Sequence, residues 1–151
     1  MRQSEDLSYG ESRELANHPV LESFFGIRLR KLSKYHTMDW EEIREDGDDS
    51  PPWYIEQKAR RLTFEECSKY KHKGISTVII GKNKLDFMAK TGNGIVVMDF
   101  KDRLMYWVYD KNEMNGFDVE DYVRGAREDC TDMISKVVHI PMSSLKQIEV
   151  G

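Results

Sequence analysis

"KLDFMAKTGNGIVVMDFKDR", residues 84–103, is the stretch on which the reading of the fold turns. "KLDFMAK" (84–90) and "GIVVMDFK" (94–101) are apolar runs of strand length. Between them, Thr91-Gly92-Asn93-Gly94 contains an Asn-Gly step, whose two residues both tolerate positive φ. The pattern predicts a hairpin. Strand side chains alternate, so Asp99 and Lys101 share a face, and Asp86 on the first strand comes close to Asp99. Two carboxylates and an amine then meet at one place. The plain alternative is a charge pair on the wet face of a hairpin, contributing about 0.2–1 kcal/mol.

The same character continues on both sides. "ISTVIIG" (75–81) before the stretch and "LMYWVYD" (104–110) after it extend the hairpin to an antiparallel meander of three to four strands. Thr63-Phe64-Glu65-Glu66 matches a capping box and starts a helix through about Tyr70, which "KYKHKG" closes. Ser50-Pro51-Pro52 reads as an N-cap with proline in the first turn, which predicts a helix over 52–61. Val119, Tyr122, Val123 and Ala126 define one face of a helix over 118–133. "SKVVHIP" (135–141) reads as a strand, and a capping-box pattern at Ser144 opens a short last helix.

Residues 11–25 have helical character with a break at His18-Pro19, because a residue before proline avoids the helical region. Helical spacing continues through Leu29 and Leu32, and Asp39-Trp40-Glu41-Glu42 predicts a short helix from Trp40. "EDGDDSPP" is an acidic, Gly/Pro-punctuated loop suited to a boundary. The expected fold is therefore α+β: an antiparallel meander flanked by helices, with a helical N-terminal extension. Residues 1–50 form that extension with its acidic linker, and residues 51–151 form the α+β domain.

Composition bounds the function. The chain has 151 residues, 33% of them charged and 39% hydrophobic, with enough aromatic side chains for a core: 3 Trp, 7 Tyr and 6 Phe. No apolar run approaches the roughly 20 residues needed to span a bilayer, and the N-terminus has no apolar signal region. Cys67 and Cys130 are too few for a disulfide framework and form no zinc-binding pair. The expectation is a cytoplasmic protein with reduced thiols and no membrane contact. No two of His18, His36, His72 and His139 sit at metal-ligand spacing, and His139 reads as a hydrogen-bonded residue of an apolar strand.

Net charge is −4 but uneven: residues 57–90 carry 9 basic and 3 acidic side chains. An acidic protein can still bind nucleic acid through one basic face, and Lys69, Lys71, His72 and Lys73 are the candidate phosphate contacts. The same lysines also suit the negative end of a helix dipole.

"LDFMAKTGNGIVVMDFK" resembles the PD-(D/E)XK nuclease signature: an Asp at the start of one strand, a short turn, an apolar strand, then Asp/Glu-x-Lys. The order of expected elements agrees: helix 63–72, meander 75–101, helix 118–133, strand 136–140. The resemblance covers roughly residues 57–141. It implies that Asp86 and Asp99 are ligands for Mg²⁺ or Mn²⁺, that Lys101 is the catalytic lysine, and that Glu65 or Glu66 is the helical acid. It also implies a nucleic-acid substrate. The competing class is a non-enzymatic protein-binding module, an inhibitor, adaptor or assembly factor, which the acidic N-terminal half and the aromatic run 104–110 would suit.

Overall fold

The segment Gly94–Asp99, GIVVMD, is buried at every position, as a central strand covered on both faces must be. The computed structural model describes residues 2–123 and 134–149. In chain order the elements are α1 (Arg2–Phe25), β1 (Leu29–Lys31), β2 (Trp40–Glu42), β3 (Tyr54–Ala59), α2 (Phe64–Ser68), β4 (Lys71–His72) and β5 (Ile75–Gly81). There follow α3 (Lys82–Thr91), β6 (Gly94–Asp99), β7 (Leu104–Val108), α4 (Lys111–Met114), β8 (Asp118–Val123), β9 (Ile134–Pro141), a 3₁₀ turn (Met142–Ser144) and β10 (Lys146–Gln147).

The strands form two sheets, ordered β1-β2-β3-β6-β7-β10 and β4-β5-β9-β8. β3 and β6 run parallel, with Glu56 opposite Val96 and Lys58 opposite Met98; β6 and β7 form an antiparallel hairpin. Alternation along β6 divides the core. Ile95 and Val97 pack with Leu21 of α1, Leu29, Trp40 and Ile55. Val96 and Met98 pack with Leu85 and Met88 of α3 and with Val78, Ile80, Val138 and Ile140 of the smaller sheet. The larger sheet is thus sandwiched between α1 and a layer made of α3 and the second sheet. The chain is an α+β fold, with more strands than the expected meander.

The largest departure from expectation lies in the stretch quoted first. Residues 84–90 form no strand; they belong to helix α3. Leu85 and Met88 are both fully buried, at helical i, i+3 spacing, and each contributes about 1.5–3 kcal/mol of burial. Lys82 and Asp86 form an i, i+4 ion pair on the opposite face. Gly92 sits at φ 84° and its N–H donates to the Met88 carbonyl, so the glycine turn is a helix C-cap. Gly94 meets that helix at close quarters: a Cβ there would lie 2.3 Å from Met88 Cγ.

Other boundaries shift for related reasons. Residues 54–59, expected as helix, are strand β3, with Ile55 and Gln57 buried on the α1 side. Trp40 opens strand β2 rather than a helix, because Asp39 caps no helix; its carboxylate accepts the Gln57 N–H instead. Lys71–His72 pair with β5 rather than ending a helix. Residues 118–123 are strand β8, and the rest of that expected helix lies outside the described residues. The expected final helix is a 3₁₀ turn followed by β10. α1 runs through Pro19 without ending there and stops at Gly26, whose φ of 68° closes it. Residues 1–50 supply α1 and also β1 and β2, which join the same sheet as β3 and β6. The Thr63–Glu66 capping box, β5, β6, β7 and β9 stand where the sequence places them.

Candidate active site

The residues singled out around the quoted stretch go to separate places. Asp86 is exposed on α3 with Lys82 Nζ at 2.9 and 3.0 Å. Asp99 ends β6, 1% exposed. Its carboxylate receives Arg13 Nε at 2.7 Å, Arg13 Nη2 at 3.2 Å and Asn17 Nδ2 at 3.0 Å, all from α1. Asp86 and Asp99 share no partner in these contacts, and the hairpin that would have brought them together is not formed. Lys101 is exposed in the β6–β7 turn, where its N–H donates to the Leu62 carbonyl. Glu66 is used by the α2 capping box, its Oε1 accepting the Thr63 N–H at 3.1 Å, and that hydrogen bond holds its pKa below the usual carboxylate value. Glu65 is exposed.

A different set of carboxylates converges at the β2–β3 edge. β2 pairs with only Tyr54 and Ile55 of β3. Past that point Asp39, the residue before β2, turns its side chain to β3, and its Oδ2 accepts the Gln57 N–H at 2.8 Å. Glu56 and Lys58 lie two residues apart on β3, hence on one face. Glu14 reaches in from α1, and Lys31 Nζ stands between two acids, 2.8 Å from Glu14 Oε2 and 3.6 Å from Asp39 Oδ1. Lys84 of α3 approaches from the other side, 3.3 Å from Glu56 Oε2, and also donates to the Thr37 carbonyl.

The electrostatics of this set are unusual. Glu56 is nearly buried, and its Oε2 accepts no hydrogen bond: Lys84 is close enough for an ion pair but not aligned for a bond. Burial, then the charge of Asp39, push the Glu56 carboxyl up to about 8, with Lys84 acting against them. Burial also raises Glu14; Lys31 opposes that shift and Asp39 adds to it. These acids are therefore short of positive charge in spite of two neighbouring lysines. A hard divalent cation prefers such an all-carboxylate set of oxygen donors, and an unbonded buried carboxylate oxygen is the atom such an ion would satisfy. Glu56 with Asp39 fits a Mg²⁺-type ion on that ground, and Glu14 neighbours Asp39.

This set was open to sequence reading. Glu56-Gln57-Lys58 repeats the acid-x-Lys pattern recognised at Asp99-Phe100-Lys101, with Asp39 upstream. It was masked because Pro51-Pro52 suggests a helix over the segment, and acid-x-Lys shares a face on a strand but not on a helix. Glu14 carries no local signal.

Glu56 and Lys58 on β3, Asp39 upstream and Glu14 on α1 thus lie along one mixed sheet. The family model described as "Phage putative PDDEXK endonuclease" matches residues 1–148, and the chain belongs to that family. No curated protein and no solved structure matches the chain. Among the described residues, no helix is long and apolar enough to cross a membrane.

The expected phosphate-contact cluster is only partly outward. Lys69 is the C-cap of α2 and Lys71 is exposed. Lys73 pairs with Asp118 at 3.1 Å, and His72 faces inward to Asp118 and His139. Cys67 is a half-buried free thiol whose pKa burial raises; Cys130 lies outside the described residues.

Proposed function

We propose that the chain is a divalent-metal-dependent endonuclease whose site is Glu14, Asp39, Glu56 and Lys58, in place of Asp86, Asp99 and Lys101. The observation that carries this reading is that Asp39 interacts with both Glu14 and a buried Glu56, whose Oε2 accepts no hydrogen bond. The family match over residues 1–148 supports nucleic acid as the substrate.

Glu14, Asp39 and Glu56 would hold Mg²⁺ or Mn²⁺, which when bound polarises a phosphodiester and lowers the pKa of water. The protein supplies the rest. The Gln57 N–H fixes the Asp39 carboxylate, so one acid is oriented before any ligand arrives. Lys58, on the Glu56 face of β3, would orient the attacking water and offset charge on the pentavalent phosphorus. Lys31 and Lys84 neutralise surplus carboxylate charge in the resting protein and are placed to engage phosphate oxygens once a cation takes over that task.

The test is cleavage of single-stranded, duplex and branched DNA with Mg²⁺ or Mn²⁺, comparing the wild type with Glu56→Gln and Lys58→Ala. Metal-dependent cutting that both substitutions abolish, with the circular dichroism spectrum unchanged, supports the reading. Cutting that survives Glu56→Gln overturns it.

A further inference from the structure

A second cluster lies on the smaller sheet, away from the carboxylate set. His72 of β4, His139 of β9 and Glu120 of β8 each place one donor atom so that all three lie within 4.8 Å of one another. His139 Nε2 is 3.2 Å from Glu120 Oε1, and His72 Nδ1 is 3.7 Å from Glu120 Oε2. Asp118, one pleat from Glu120 on the same strand, contacts His72 Nε2. The two imidazoles stack with centroids 3.6 Å apart and planes 8° apart. His139 is buried, and its Nδ1 lies 2.8 Å from Thr77 Oγ1.

We propose that His72, His139 and Glu120, with Asp118 beside them, form a binding site for a first-row transition-metal dication, Zn²⁺ in the first instance. The donor set decides the class of ion. Two imidazoles with one or two carboxylates suit Zn²⁺ and its neighbours, whereas Mg²⁺ and Ca²⁺ prefer oxygen alone. Two stacked imidazolium ions would repel, while two neutral rings can share one cation. Thr77 supplies the outer contact that metal-bound histidines commonly have: Nδ1–H donating to its hydroxyl leaves the Nε2 lone pair for the ion.

The site also has a mechanical consequence. β4 and β8 are the two outer strands of the smaller sheet. A bound ion would join both edges through side chains and fix the β4–β5 hairpin. No sequence spacing announces the cluster, because its histidines are 67 positions apart and three strands contribute. The proposal is independent of the nuclease reading.

The experiment uses the full chain stripped with a chelator, then titrated with Zn²⁺ by calorimetry and with Co²⁺ by visible absorption. The wild type is compared with His72→Gln, Glu120→Gln and, as a control for the carboxylate set, Glu56→Gln. His72 and Glu120 are the more exposed members, so their substitution leaves the buried His139 in place. The expected result is one Zn²⁺ per chain, kept by Glu56→Gln and weakened about tenfold or more by His72→Gln and Glu120→Gln. Ligand-field bands of nitrogen-bound Co²⁺ should fade in the same two variants, and Zn²⁺ should raise the unfolding temperature of the wild type and Glu56→Gln but not of those two. Equal Zn²⁺ affinity in wild type, His72→Gln and Glu120→Gln overturns the proposal. So does the absence of any binding by a stripped, folded wild type.

Discussion

The Asp39 carboxylate accepts the backbone N–H of Gln57 at 2.8 Å, at the point where β2 stops pairing with β3. One side chain thus finishes a strand edge and orients an acid of the proposed site. The two roles are separable. Asp39→Asn keeps an oxygen acceptor, so chemical denaturation should show a loss under about 1 kcal/mol, while metal-dependent cleavage falls about 10²-fold or more. Asp39→Ala should lose the same activity and about 1–3 kcal/mol of stability. If Asp39→Asn cleaves at the wild-type rate, Asp39 has no part in the chemistry.

Asp99 is expected to be structural. It is buried and holds Arg13 and Asn17 of α1 onto the end of β6. Asp99→Ala leaves Asn17 and the partly exposed Arg13 without this partner and should destabilise the protein by about 1–3 kcal/mol in urea unfolding. Cleavage per folded molecule should be unchanged. Loss of cleavage in a fully folded Asp99 variant would return the site to Asp99 and Lys101.

Asp86 and Lys101 lie at the surface, Asp86 in an i, i+4 pair with Lys82. Asp86→Ala and Lys101→Ala should each change stability by less than about 0.5 kcal/mol. Their metal-dependent rates should stay within about twofold of wild type, below the roughly 1 kcal/mol that a catalytic contact would remove. A large rate defect in either, measured at saturating Mg²⁺, contradicts the assignment to Glu14, Asp39, Glu56 and Lys58.

The raised carboxyl of Glu56 makes metal-free stability pH-dependent. Its folded pKa of about 8 lies above the ordinary 4.5, so the folded state binds the proton more tightly than the unfolded state. This contribution is fully present below about pH 4.5 and is lost as pH rises to about 8. Thermal melts in chelator should therefore show the wild type losing more stability than Glu56→Gln between pH 5 and pH 8 on the linkage argument. Saturating Mg²⁺ or Mn²⁺ should reverse the trend, because the ion binds the charged form. Parallel wild-type and variant melts across that range would show that Glu56 ionises normally.

Gly94 marks the closest approach of α3 to β6. A Cβ there would meet Met88 Cγ at 2.3 Å and Cβ at 2.7 Å. Gly94→Ala should cost about 1–3 kcal/mol as an overpacked contact, measured by urea unfolding. Gly94→Ala with Met88→Ala should recover part of that loss. A neutral single substitution would mean that the helix can move off the sheet.

Some of this was legible without coordinates. The Thr63–Glu66 capping box, the β-branched runs at 75–81 and 94–99 and the strand around His139 carry local signals that the folded protein keeps. The family was legible too, because an acid-x-Lys pattern is a local feature. The location proposed for it rests on the fold. The pattern occurs at both 56–58 and 99–101, and only the fold distinguishes them. At 99–101 the acid is spent on Arg13 and the lysine is in a turn; at 56–58 both lie on one face of β3 beside Asp39.

What the sequence by itself determined is the set of short-range choices: caps, glycine stops, alternating runs and the α+β class, each set by neighbours within a turn or a pleat. Tertiary structure alone decided that "KLDFMAK" is a helix, since Leu85 and Met88 suit either period until β6 and the second sheet bury them on one side. It also decided which acids meet. Glu14, Asp39 and Glu56, like His72, Glu120 and His139, come from different elements, and only the packing of α1 and the two sheets brings their side chains together.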